Sequence, residues 1–130
     1  MSEPRVSAQD VLNASKGMLQ KQMYVYFTTP AGGRGPGMEN LEAHLENQLE
    51  IERKGIMFGA GPHWTEDEKG WEGDGMVIVR ADSLAEARKI AEADPMHSSR
   101  ARTFTVRPWL MNEGTLTIKI SYSDGSREVL

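Results

Sequence analysis

The sequence predicts one α+β domain in which an antiparallel sheet carries helices on one face. Three observations predict it. β-rich apolar runs recur at 23–28, 56–60, 76–81 and 103–107. Segments with apolar residues at helical spacing separate the first run from the second and the third from the fourth. Turns containing Gly or Pro punctuate the sequence between them. The resulting order, βαββαβ, is the split βαβ arrangement of ferredoxin-like folds.

Taken in chain order, Ser7 and Asp10 make a capping-box-like start, and Val11, Leu12, Met18 and Leu19 follow at helical spacing. A helical extension is therefore expected over 7–20, weakened by Gly17. The run MYVYFT from Met23 to Thr28 is the first strand, closed by Pro30 and the loop AGGRGPG. Met38, Leu41, Leu45 and Leu49 recur in steps of three and four, so one helix is expected there, stopped by Gly55. A short second strand, Ile56 to Ala60, ends at Gly61-Pro62. The polar stretch HWTEDEKGWEGD over 63–74 reads as a loop carrying Trp64 and Trp71, and the third strand follows over Met76 to Ala81.

Ser83 and Glu86 form a second capping box, Leu84, Ala87, Ile90 and Ala91 line one helical face, and Pro95 stops that helix. Thr103 to Arg107 is the fourth strand. Beyond it, in TLTIKISY, apolar and polar residues alternate strictly, as in a half-buried strand. Asp124-Gly125 turns that strand towards Arg127 to Leu130, so a C-terminal β-hairpin is expected over 114–130. The whole chain, 1–130, then reads as one domain with its core over 23–109.

Composition narrows the function. At 130 residues the chain has room for one domain, which would bury about 65% of its unfolded surface. No apolar run reaches the ~18 residues of a membrane span, and the start MSEPRVSAQD is not a signal peptide, so the expected location is cytoplasmic, without a membrane partner. The absence of Cys excludes disulfides, thiolate metal sites and cysteine nucleophiles. A net charge of -4, with Lys and Arg dispersed, gives no basic stripe, so nucleic acid is not an expected partner. MVIV and MYVYF are apolar at consecutive positions, which implies that both sheet faces are buried. Helices cover one face, and a second copy of the chain is the simplest cover for the other, so a homodimer or higher homo-oligomer is expected.

Three blocks carry a family resemblance: HLENQLEIERKGIMFGAGP, GMVIVRADSLAEARKIAEADP and FTVRPW. Together they span Met23 to Trp109 and resemble the YCII-related (YciI-like) family, in which a His on the first helix stands at a fixed distance from an Ala-Gly-Pro turn. His44 and Pro62 reproduce that spacing, and Asp94-Pro95 matches the Asp-Pro that ends the second helix. The resemblance implies a dimeric αβ barrel with a His/Asp pair in a cleft. Related activities are muconolactone isomerisation, dehydrochlorination of chlorinated hydroquinones and cofactor-free oxygenation.

The residues themselves support the same pair. At 100° per residue His44 lies about 60° from Leu41 on the helical wheel, on the inner half of its helix. Asp94 shares the inward stripe of Ala87, Ile90 and Ala91, in the last turn of its helix, where the macrodipole is unfavourable to an anion unless a cation or donor compensates. A facing His44 would compensate, and an Asp that accepts from one ring nitrogen leaves the other free to move a proton. The structural alternative makes His44 a hydrogen-bonded core histidine and Asp94 a cap before Pro95. His63 and His97 follow the two Pro turns and are candidates for contacting a substrate, as are Trp64, read equally as part of a lid, an oligomer contact or a core anchor, and Arg34 in the glycine-rich loop. No HxH or HExxH spacing supports a metal site, so no metal is assigned. The sequence reading is thus a small-molecule lyase or isomerase that needs no cofactor, with His44 and Asp94 as acid-base pair. A non-catalytic ligand-binding or regulatory homo-oligomer is the alternative.

Overall fold

A computed structural model of the chain describes residues 3–33 and 35–129, so Arg34 lies outside the described residues. The chain divides into two compact units, Gln22–Leu110 and a second made of Met1–Lys21 with Met111–Leu130. The larger unit contains β1 (Lys21–Pro30, entering from the smaller unit), α2 (Gly35–Glu39), α3 (Leu41–Arg53), β2 (Met57–Trp64), β3 (Trp71–Val79), α4 (Leu84–Ala93), α5 (Pro95–Ser98) and β4 (Arg102–Met111). The smaller unit contains α1 (Ala8–Ala14) and the strands β5 (Ile118–Ile120) and β6 (Arg127–Val129).

The sheet runs β2-β3-β1-β4, with β3 antiparallel to both β1 and β2. This is the ferredoxin-like order, with the first and third strands in the centre. Register places Tyr24 opposite Val79 and Tyr26 opposite Val77, and these four residues share one face. On that face they pack against Ala87 and Ala91 of α4, whose small side chains let the helix approach closely. Each buried Val contributes roughly 1.5–3 kcal/mol by leaving water. α4 starts as expected: Ser83 Oγ accepts from the Glu86 amide at 3.1 Å, and Glu86 accepts in turn from the Asp82 amide at 3.0 Å. In β1 both phases are buried from Met23 to Tyr26, whereas Phe27, on the face away from the helices, is 41% exposed.

In the larger unit two stretches depart most from the sequence expectation. The single helix expected from Met38 is divided at Asn40, whose φ of -104° and ψ of 5° leave the helical region. The Asn40 amide donates to Pro36 O at 2.8 Å, closing α2 with a local side-chain bond that competes with helix continuation. The expected loop 63–74 is largely strand, with Trp64 paired to Trp71 and only 65–70 turning. That turn is locked by the Thr65 amide donating to Gly70 O at 2.9 Å, and by Asp67 accepting from Thr65 Oγ1 at 2.6 Å and from the Lys69 amide at 3.0 Å. Polar composition disguised the strand ends because they project into solvent and need no apolar alternation.

In the smaller unit, Ser7 Oγ accepts from the Asp10 amide at 3.0 Å, as the capping box predicts. Gly17, at φ 92°, follows the end of the short helix, and Gln20 Nε2 donates to Leu12 O at 2.8 Å. The strand expected over TLTIKISY narrows to Ile118–Ile120, paired antiparallel with Arg127–Val129 around the Asp124-Gly125 turn. No helix among the described residues is long and apolar enough to cross a membrane.

Candidate functional site

A cavity of about 730 Å³ opens in the larger unit between α3 and the β2–β3 side of the sheet. Its walls are mainly apolar, with Leu45 and Leu49 of α3 facing Phe58, Ala60 and Trp64 of β2. Polar groups gather at one end, where His44, Asp94, His97, Thr28 and Arg102 meet.

His44 reaches this end because α3 turns its inner face to the cavity. Its Nδ1 lies 2.9 and 2.8 Å from the two carboxylate oxygens of Asp94. A carboxylate only accepts, so Nδ1 carries a hydrogen, and in the neutral imidazole Nε2 is the nitrogen with the lone pair. Nε2 makes no hydrogen bond among the described residues, and the side chain is 23% exposed. Asp94 is 1% exposed, which raises the question of how a buried anion is stabilised at the end of α4. The backbone supplies the answer. At φ -65° and ψ 126° Asp94 ends α4 and at the same time caps α5, with Pro95 as its first residue, and it accepts from the Met96 amide at 2.9 Å. The anion thus serves a helix N-terminus and a histidine together. Asp94 is therefore a helix cap and a hydrogen-bond partner of His44 at once.

His97 lines the same cavity but is fully engaged. Its Nδ1 lies 2.6 Å from Ala91 O and its Nε2 2.9 Å from Thr28 Oγ1, while Arg102 Nε donates to that same hydroxyl at 2.8 Å. A carbonyl only accepts, so His97 Nδ1 carries a hydrogen for Ala91 O, and in the neutral ring Nε2 accepts from the Thr28 hydroxyl, which itself accepts from Arg102. Burial favours that neutral ring by pushing its pKa below the ordinary histidine value, with Arg102 and His44 acting in the same sense and the Ala91 carbonyl and Asp94 opposing. Phe104 lies against the ring at 4.5 Å between centroids. Arg102 also donates through Nη2 to Thr28 O and to Gly73 O, tying β1, β3 and β4 together beneath the cavity.

Trp64 lines the cavity, at 64% exposure beside Trp71, whose Nε1 donates to Asp74 O at 2.8 Å. His63 does not join the group. Strand alternation turns it to the opposite sheet face, beside Phe27 at 6.3 Å between ring centroids, in a groove that Thr103 and Thr105 of β4 also line. The sequence placed His63 and His97 around one opening because each follows a Pro turn, but His63 is inside β2, where direction alternates by residue. Among the described residues no three of His, Asp and Glu are grouped to hold a metal.

The sequence reading passed over Tyr26, Thr28, Gln48 and Arg102, all of which line the cavity. Tyr26 and Thr28 belong to an apolar strand run and carried no signal of their own. Gln48 offered one, since it is one turn beyond His44 on the same face of α3.

A family model for the YCII-related domain matches residues 23–110. Among curated proteins, the uncharacterized protein YjpA of Bacillus subtilis is 29% identical over 93 residues, covering 70% of this chain and all of YjpA. Among solved structures, 5-chloro-2-hydroxyhydroquinone dehydrochlorinase (TftG) from Burkholderia phenoliruptrix, in complex with 2,5-dihydroxybenzoquinone, superposes with a TM-score of 0.53 at 21% identity. The match covers 68% of this chain and 93% of TftG, and it shows a common fold. With the family match taking in nearly all of the four-stranded sheet and every residue that lines the cavity, the chain belongs to the YCII-related family.

Proposed function

We propose that the protein is a small-molecule lyase or isomerase in which His44 moves a proton and Asp94 holds the imidazole. The observation that carries this reading is the Nδ1 contact of 2.8 Å to Asp94, which leaves Nε2 as the open acceptor in an apolar cavity. In the reaction, Nε2 takes a proton from carbon next to a carbonyl, the C–H electron pair becomes a C=C bond, and the carbonyl π pair moves onto its oxygen. Returning the proton at another carbon completes an isomerisation. Expelling a leaving group from the adjacent carbon completes an elimination. No organic cofactor enters either sequence. The fold neighbour named as a dehydrochlorinase and bound to a quinone supports the elimination arm, since dehydrochlorination is an elimination.

The working unit in this reading is a homodimer. The helices cover one sheet face, and on the other Phe27 is 41% exposed beside half-buried Met76 and Ile78. A second copy is the cover that this surface calls for.

Mass-spectrometric screening of a metabolite mixture tests the enzymatic reading. Wild type should consume at least one carbonyl or cyclic compound that His44→Ala leaves untouched. If both forms bind the same ligand equally and neither converts it, the protein is a ligand-binding homo-oligomer instead.

A further inference from the structure

Two residues that line the cavity each bury a polar atom without a partner among the described residues, Tyr26 its hydroxyl and Gln48 its Oε1. Tyr26 is 0% exposed, on the helix-facing side of β1. Its ring is held edge-on by His97 at 5.9 Å and by Phe104 at 6.3 Å, so packing alone would be satisfied equally well by Phe. The hydroxyl adds nothing to that packing. Burying it unpaired carries a desolvation cost that a Phe ring would not incur. The nearby Asp94 carboxylate is already occupied by His44 and the Met96 amide.

We propose that Tyr26 is a substrate-contacting hydrogen-bond donor that binds the carbonyl or enolate oxygen of the ligand while Nε2 of His44 takes the proton. Gln48 Oε1 then accepts from a hydroxyl or N–H elsewhere on the same molecule. The ligand class that follows is a hydroxylated ketone or quinone-like ring, with its apolar body against Leu45, Leu49 and Phe58. This rests on the proposed proton-transfer role of His44 and adds the group that stabilises the charge generated by that transfer. Burial and the Asp94 anion both raise the phenol pKa well above the ordinary tyrosine value, so the hydroxyl keeps its proton and is available to donate throughout the working pH range.

The test is an NMR chemical-shift titration of the full chain with 4-hydroxyacetophenone, acetophenone and ethylbenzene, comparing wild type, Tyr26→Phe, Gln48→Met and His44→Ala. Wild type should prefer both ketones to ethylbenzene. Tyr26→Phe should lose about tenfold in affinity for both ketones, leave ethylbenzene unchanged and melt no lower than wild type, because an unpaired donor has been removed. Gln48→Met should weaken 4-hydroxyacetophenone alone. Equal ketone binding by wild type and Tyr26→Phe would overturn the proposal, as would a wild type that binds no ketone in preference to ethylbenzene. A lower melting temperature for Tyr26→Phe with unchanged affinities would overturn it too, by making the hydroxyl structural. The parent reading is judged separately by turnover: if His44→Ala converts substrate like wild type the base assignment fails, whatever Tyr26 does to binding.

Discussion

At the residue scale the decisive feature is the direction of two histidines. Asp94 forces the hydrogen of His44 onto Nδ1, and the Ala91 carbonyl does the same for His97. Asp94→Asn should keep the cap on Met96, since Asn accepts from a backbone amide as well as Asp does. Turned towards His44, however, its Nδ2 would donate, so the imidazole hydrogen should move to Nε2. Nitrogen-15 NMR of the ring should therefore report Nδ1–H in wild type and Nε2–H in Asp94→Asn, with loss of turnover in the latter. For His97 the sign follows from its burial. A folded pKa below the unfolded value near ~6.5 means that its stabilisation is present above that value and is lost as pH falls through the folded one. Urea midpoints should fall between about pH 7 and about pH 5, and should fall less in His97→Gln, where this titration is gone. How much of the site was legible followed the same chemistry. His44 and Asp94 could be found because a charged or titratable side chain on an apolar helical face demands a reason. Tyr26 could not, because a tyrosine in the run MYVYF reads as core, and only the unpaired hydroxyl in the folded chain separates it from phenylalanine.

At the element scale the cavity depends on how β3 enters the sheet. Gly73 has φ 106°, its carbonyl accepts from Arg102, and a Cβ there would run into the Pro30 ring of β1. Gly73→Ala combines backbone strain with a steric clash and should destabilise by about 2 kcal/mol or more. Chemical denaturation checks it, and a change within a few tenths of a kcal/mol would mean that the hairpin rearranges freely. The core strands and α4 were readable from periodicity and the Ser83 capping box because their faces are unequal. The β2–β3 hairpin was not, since the residues 63–74 that extend it are mostly exposed and its turn is held by Thr65 and Asp67 rather than by an Asn-Gly signal. The break at Asn40 was hidden for a related reason. Met38 and Leu41 kept helical spacing across it, while the cap that interrupts the helix is a single amide bond to Pro36.

At the scale of the whole molecule, the βαββαβ order needed little more than counting elements, and the sheet order β2-β3-β1-β4 follows it. What lies on the far sheet face was readable only as a demand for cover, because consecutive apolar residues call for cover on both faces without saying by what. Light scattering at micromolar concentration should give the mass of a dimer, and a monomer at that concentration would remove the second copy from the account. The central claim is that this molecule transfers a proton through His44, and solvent deuterium exchange tests it most directly. Ketones that bind the protein are incubated in D2O with wild type and with His44→Ala, and mass spectrometry counts deuterium gained at carbon. The account predicts incorporation above the uncatalysed rate by wild type and none above it by His44→Ala. Equal incorporation by the two proteins, or none by wild type into any ketone it binds, would contradict it.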